Sequence, residues 1–199
     1  MKKLITAAAL LALLVAACDD GPDEEPEQGE VVNAMPSGVL TNISVSFNRR
    51  DVEIVEGALG PAFTFYFSPE DVGQNPPGGS NYVIPESWGY TEFRLAVARM
   101  FRKAYSIDLA IPTGSIGGPA SGAETYRAEN VTISLLVMVD ELNGFIANQG
   151  YCDFAFEKYK GADGRDYWRL TGWWDNTASA YDEPAVAPTS LGRVLAVFN

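Results

Sequence analysis

From Asn130 onward the chain is built of long runs in which apolar and polar residues alternate. "NVTISLLVMVD" places Val131, Ile133, Leu135, Val137 and Val139 on one side of an extended segment. A period of two is the mark of a strand with one buried face. Asn143-Gly144 comes next, a pair suited to a tight hairpin because both positions accept positive φ. "YCDFAFEKY" then runs back, Asp163-Gly164 turns the chain again, and "RDYWRLTGWWD" makes a third pass. Three long strands joined this way form an antiparallel meander, and its apolar face needs a cover.

The first half of the domain supplies that cover. In "PSGVLTNISVSF", Val39, Leu40, Ile43 and Phe47 recur at helical spacing behind the start signals Pro36 and Ser37. Asp51 is placed to cap a second short helix that turns Val52, Val55 and Leu59 inward, and Gly60-Pro61 ends it. "AFTFYF" reads as a strand. The clearest helix lies in "SWGYTEFRLAVARMFRKAY", with Phe93, Val97, Met100, Phe101 and Ala104 in one stripe. Its late cations suit the negative end of the helix dipole. "SIDLAI" alternates, with Ile107, Leu109 and Ile111 on one face and Asp108 on the other. Helices first and strands afterwards predict an α+β domain with its helices on one face of the sheet. "SPEDVGQNPPGGSNYVIPE", with four prolines and three glycines, either covers a site or is a plain surface loop.

The N-terminus belongs to no fold. Lys2 and Lys3, an apolar run from Leu4 to Val15 and small residues before Cys18 describe a secretory signal, too short to span a bilayer. Val15-Ala16-Ala17-Cys18 resembles the lipobox of bacterial lipoproteins, in which the thiol is lipidated and the chain is cut before it. The other reading is an ordinary signal with an incidental Cys. The resemblance implies residues 1–17 as a lipoprotein signal peptide and 18–35 as a lipidated Cys18 with an acidic, disordered tether, leaving 36–199 as the domain. Several acyl chains, at about 0.8 kcal/mol per buried CH₂, would hold the protein on a membrane outside the cytoplasm, in the bacterial cell envelope. "DDGPDEEPEQGE" behind Cys18 has seven acidic residues and no apolar side chain, so it reads as a self-repelling spacer.

Charge and chemistry narrow the function. The net charge is −12, and beyond the tether 12 basic residues still face 19 acidic ones, which disfavours nucleic acid and anionic lipid surfaces as partners. Cys152 has no second cysteine in the domain to pair with, and its alternation with Phe154 and Phe156 predicts burial. There is no histidine, hence no neutral-pH imidazole base and no nucleophile–histidine pair. Only oxygen ligands remain for a metal, "GADGRD" lacks calcium-loop spacing, and the Gly-Gly pairs do not sit between a strand and a helix. No cofactor and no metal are expected.

The order of parts, the strand "AFTFYFSPEDVG" and the terminal "YWRLTGWWD", with Trp168, Leu170, Trp174 and Asp175, resemble the nuclear transport factor 2-like superfamily, which includes the SnoaL-like proteins. "SLGRVLAVF" is similar to a closing segment of such proteins. The resemblance implies a curved antiparallel sheet with about three helices enclosing a conical pocket, often with a homodimer across the open sheet face. Some members are isomerases, dehydratases or hydrolases; many only bind ligands or partners. Where isomerase-like members carry an acid near the end of the first strand, this chain has Phe65, Tyr66 and Phe67, and the first helix has no Tyr. That points to a non-catalytic module for a small apolar ligand or a protein partner.

The alternative is an acid/base enzyme using Asp108 with Tyr66 and Tyr105 as donors; Asp108 is otherwise a polar residue on a solvent or subunit face. Regular pairing of the last strand puts Trp168, Leu170 and Trp174 on the core side and Trp173 outside, although Gly172 invites a bulge that shifts this by one. Trp173, and Trp88 beside the Pro/Gly loop, are therefore the expected ligand contacts. The candidate site comprises Tyr66, Trp88, Tyr105, Asp108, Trp168 and Trp173.

Overall fold

The computed structural model describes residues 33–78, 81–178 and 186–199. The signal segment, Cys18 and the tether as far as residue 32 lie outside the described residues. Two helices lead, α1 (Pro36–Arg49) and α2 (Val52–Ala58), followed by β1 (Leu59–Tyr66), β2 (Ser87–Gly89) and α3 (Tyr90–Lys103). The strands β3 (Ser106–Ala110), β4 (Thr125–Thr132), β5 (Ser134–Met138), β6 (Gly144–Ala147), β7 (Gln149–Lys160), β8 (Asp166–Ala178) and β9 (Val186–Pro188) precede α4 (Leu191–Val197). The architecture is α+β.

One sheet has the order β2-β1-β8-β7-β4 and the other β3-β5-β6-β9. Two chain crossings connect them. The strand expected from Asn130 breaks at Ile133 into β4 and β5, and its partner arm breaks at Asn148 into β6 and β7. The hairpin thus passes from one sheet into the other. Two residues of left-handed backbone accompany the bend. Asn130 has φ 56°, with its N–H donated to Asp153 Oδ1 at 2.8 Å. Gly150 has φ 87°, and a Cβ there would lie 2.4 Å from the Asn176 carbonyl oxygen, so only glycine fits. Val139, expected on the buried face, falls beyond β5 in the turn and is exposed. The turn is held by Asp140 Oδ1, which accepts from the N–H groups of Leu142 and Asn143 at 2.8 and 2.7 Å.

The sheet is mixed, where the sequence implied an antiparallel one. β1 runs parallel to β8, and β6 parallel to β9. The cause is connectivity: β1 and β9 lie beside strands that are not their neighbours in sequence, so no hairpin links either pair. The helices lie where their stripes require. Val39, Leu40, Ile43 and Phe47 of α1 and Phe93, Val97 and Met100 of α3 are fully buried. Asp51 caps α2, its Oδ1 accepting from the Glu53 N–H at 2.9 Å. A fourth helix, α4, closes the chain under a Ser190 cap that accepts from the Arg193 N–H at 3.1 Å.

The last strand carries the largest departure from simple alternation. Opposite Ala155 and Phe156, β8 offers Gly172 and Leu170, so Thr171 is an extra residue in a bulge. Trp168 and Leu170 face the core before it, and Trp173 faces the core after it. This corrects the outward placement of Trp173 and moves Trp174 to the opposite face. There the Trp174 ring lies back across Gly172, where a Cβ would come within 2.5 Å of its Cη2 atom. Gly172→Ala is expected to cost about 1 kcal/mol and to swing the indole away. Near-ultraviolet circular dichroism should lose part of its tryptophan signal while the far-ultraviolet spectrum is kept.

Candidate functional site

Aromatic rings occupy the space between helices and sheet. Phe63, Phe65, Phe93, Phe154 and Trp173 are all buried, with neighbouring centroids 5.0 to 5.7 Å apart. Phe67 and Trp88 add an edge-on contact at 4.7 Å. The side chains that would line a cone are therefore spent on one another. Recesses at the surface offer room for a ligand.

One such recess, of about 440 Å³, opens where the parallel pair β1–β8 meets the loop after β1. Its walls are Tyr66, Phe67, Pro69, Val72 and Trp174, with Glu86 and Asn176 among the polar lining groups. Tyr66 and Trp174 are direct register partners, and their rings stack at 4.8 Å with planes only 4° apart. The Arg127 guanidinium lies over the indole at 4.5 Å. A rigid aromatic pair at the rim, with an apolar wall behind it, suits a small apolar molecule.

Of the six residues expected at the site, only Tyr66 lines this groove. Trp88 and Trp168 are buried, the former donating its indole N–H to Tyr82 Oη at 2.8 Å. With Trp173 also in the core, none of these three tryptophans is placed to meet a ligand. Tyr105 is 58% exposed, and Asp108 lies on the exposed side of β3, opposite the buried Ile107 and Leu109. The trio proposed for acid/base chemistry is thus not brought together in a pocket. Trp174, read as core, is the groove's aromatic wall; the signal that identifies it is Gly172.

The carboxylate that is deeply buried is Asp175. Burial pushes its pKa up to about 6, against the hydrogen bonds it accepts from Thr177 and Gly192. Oδ1 takes the Thr177 N–H at 2.9 Å and the Thr177 hydroxyl at 2.6 Å, and Oδ2 takes the Gly192 N–H at 2.6 Å. These bonds tie β8 to the start of α4, and Asp175 also lines the recess beside Tyr66 and Trp174. Burial also raises Asp71, despite the Ser190 hydroxyl that donates to it and the nearby Arg193. The Cys152 thiol is pushed well up by burial and then by Asp175, which makes it a poor nucleophile.

Helices ahead of a curved mixed sheet, with β1 and β2 flanking the long meander, are the α+β arrangement that the resemblance to the nuclear transport factor 2-like superfamily implies. No protein-family model matches the chain, and no curated protein matches it in sequence. Similar solved structures include an uncharacterised cystatin-like-fold protein of Caulobacter vibrioides, 11% identical over 73% of this chain and 86% of that one, with a TM-score of 0.46. The Kfla4162 protein of Kribbella flavida is 14% identical over 74% and 89%, with a TM-score of 0.48. A Novosphingobium aromaticivorans protein, provisionally named a scytalone dehydratase, is 10% identical over 75% and 87%, also at 0.48. At these identities the likeness is one of chain path, and no activity carries over.

Proposed function

We propose that this protein is a membrane-anchored, non-catalytic binding module. Lipid on Cys18 holds it at a membrane of the bacterial envelope, and the acidic tether spaces the domain from the surface. The groove beside Tyr66 and Trp174 takes a small apolar ligand. The observation that carries this reading is the parallel Tyr66–Trp174 stack forming the wall of an apolar recess. The exposed positions of Asp108 and Tyr105 remove support from the alternative, an acid/base enzyme using Asp108 with Tyr66 and Tyr105.

Native mass spectrometry of the full chain, extracted gently from cells, tests the ligand. An extra mass lost on denaturation, and absent from Trp174→Ala, is the expected result. A bare monomer would count against a ligand and in favour of a protein partner; a bare dimer would favour self-association across the open sheet. Cell fractionation tests the anchor: the wild-type chain should sediment with membranes and Cys18→Ser should not.

A further inference from the structure

A second groove, of about 600 Å³, lies between α1, α2 and the β7–β8 hairpin. Arg169 and Glu53 both line it. The Arg169 guanidinium rests 3.9 Å over the Tyr159 ring, which in turn packs on Tyr167 at 5.7 Å. That stacking fixes the plane of the charged group. Its Nε is buried without a hydrogen-bond partner among the described residues. Among the described residues no carboxylate pairs with Arg169 and no cation pairs with Glu53. A buried arginine donor with no partner among the described residues calls for an explanation.

The other two carboxylates in the groove are already engaged. Asp51 accepts from the N–H groups of Glu53 and Ile54 at the start of α2. Asp163 accepts from the Tyr167 hydroxyl and the Arg165 N–H at 2.8 and 3.0 Å. Two opposite charges therefore line one recess, neither in an ion pair with a described residue. A simple anion would satisfy Arg169 but meet the acidic remainder of the wall, and a simple cation would leave the guanidinium bare.

We propose that this groove binds a small zwitterion of the amino-acid type, its carboxylate on the Arg169 guanidinium and its ammonium on the Glu53 carboxylate. Arginine suits the first role because its planar fork matches a carboxylate. The volume accommodates an amino acid or a dipeptide.

The test follows the Arg169 Nε–Hε resonance of the full chain by nitrogen-15 NMR. The probes are the twenty common L-amino acids, first as a mixture and then singly. For each binder, the matching carboxylic acid without the ammonium and the matching amine without the carboxylate are also titrated. At least one amino acid should shift the resonance, and each half-molecule should bind about tenfold more weakly. Glu53→Gln, an exposed and conservative change, should weaken the amino acid about fivefold and leave the carboxylic acid unaffected. Calorimetry on Arg169→Gln should show at least about a tenfold loss. The proposal is overturned if no amino acid shifts the resonance, if the carboxylic acid binds as tightly as its amino acid, or if neither substitution changes affinity.

Discussion

Raising the pH from about 4 to about 7 should weaken this protein, with Asp175 alone contributing a loss of about 2 kcal/mol. The carboxyl of Asp175 titrates near 3.8 in the unfolded chain and is pushed up to about 6 in the fold. Between those values the native state holds a proton that the unfolded state has released. The stabilisation is complete below about 3.8 and is lost as pH rises through about 6. Asp71, also raised by burial, acts in the same direction. The exposed Asp140, Asp163 and Asp166 are lowered, so their contribution disappears only as pH falls below the ordinary range, outside this window. Urea denaturation at pH 4, 5, 6 and 7 measures the slope. Asp175→Asn keeps the shape but does not titrate, and its curve should be flatter by the Asp175 share. Equal slopes in the two proteins would mean that Asp175 does not carry the effect.

Much of the fold was legible because each level of the sequence agreed with the next. The stripe of Val39, Leu40, Ile43 and Phe47 coincides with the buried face of α1, and that of Phe93, Val97 and Met100 with the buried face of α3. Asp51 caps where its position suggests, and the Asn143-Gly144 and Asp163-Gly164 turns bound the long strands. Cys152 is buried between strand neighbours as its alternation implied. Local pattern does not encode which strands become neighbours across long connections, so the parallel β1–β8 pair was out of reach.

The site was less legible for a related reason. A period-two reading assigns faces correctly only until a residue is inserted, and Thr171 is such an insertion. It exchanged the roles of Trp173 and Trp174. Trp88 was misplaced differently: its neighbours in sequence are loop residues, but β2 pairs it with Phe65 and sets its ring against Phe67. Neither pairing partner can be inferred from the residues beside Trp88. Arg169 and Glu53 stand over a hundred residues apart, and only the fold shows that they share a recess.

The bulge makes the two adjacent tryptophans a test of register. Trp173 is fully buried against Phe65, Phe93 and Phe154, so Trp173→Ala removes a ring and leaves a cavity the aromatic core cannot close. The expected loss is about 3–5 kcal/mol, large enough to unfold a marginal domain. Trp174 is half-buried on the other face, holding the Tyr66 stack and the Arg127 contact. Stacking of this kind contributes about 0.5–1.5 kcal/mol and an exposed cation–π contact about 0.5–1 kcal/mol. Trp174→Ala should therefore cost about 1–2 kcal/mol while removing the groove wall. Unbroken alternation along β8 would give the opposite ranking, with Trp174 the costly deletion. Chemical denaturation of the two variants side by side decides between the registers. If Trp174→Ala proved the more destabilising, the bulge at Thr171 would be absent in solution, and the aromatic groove with it.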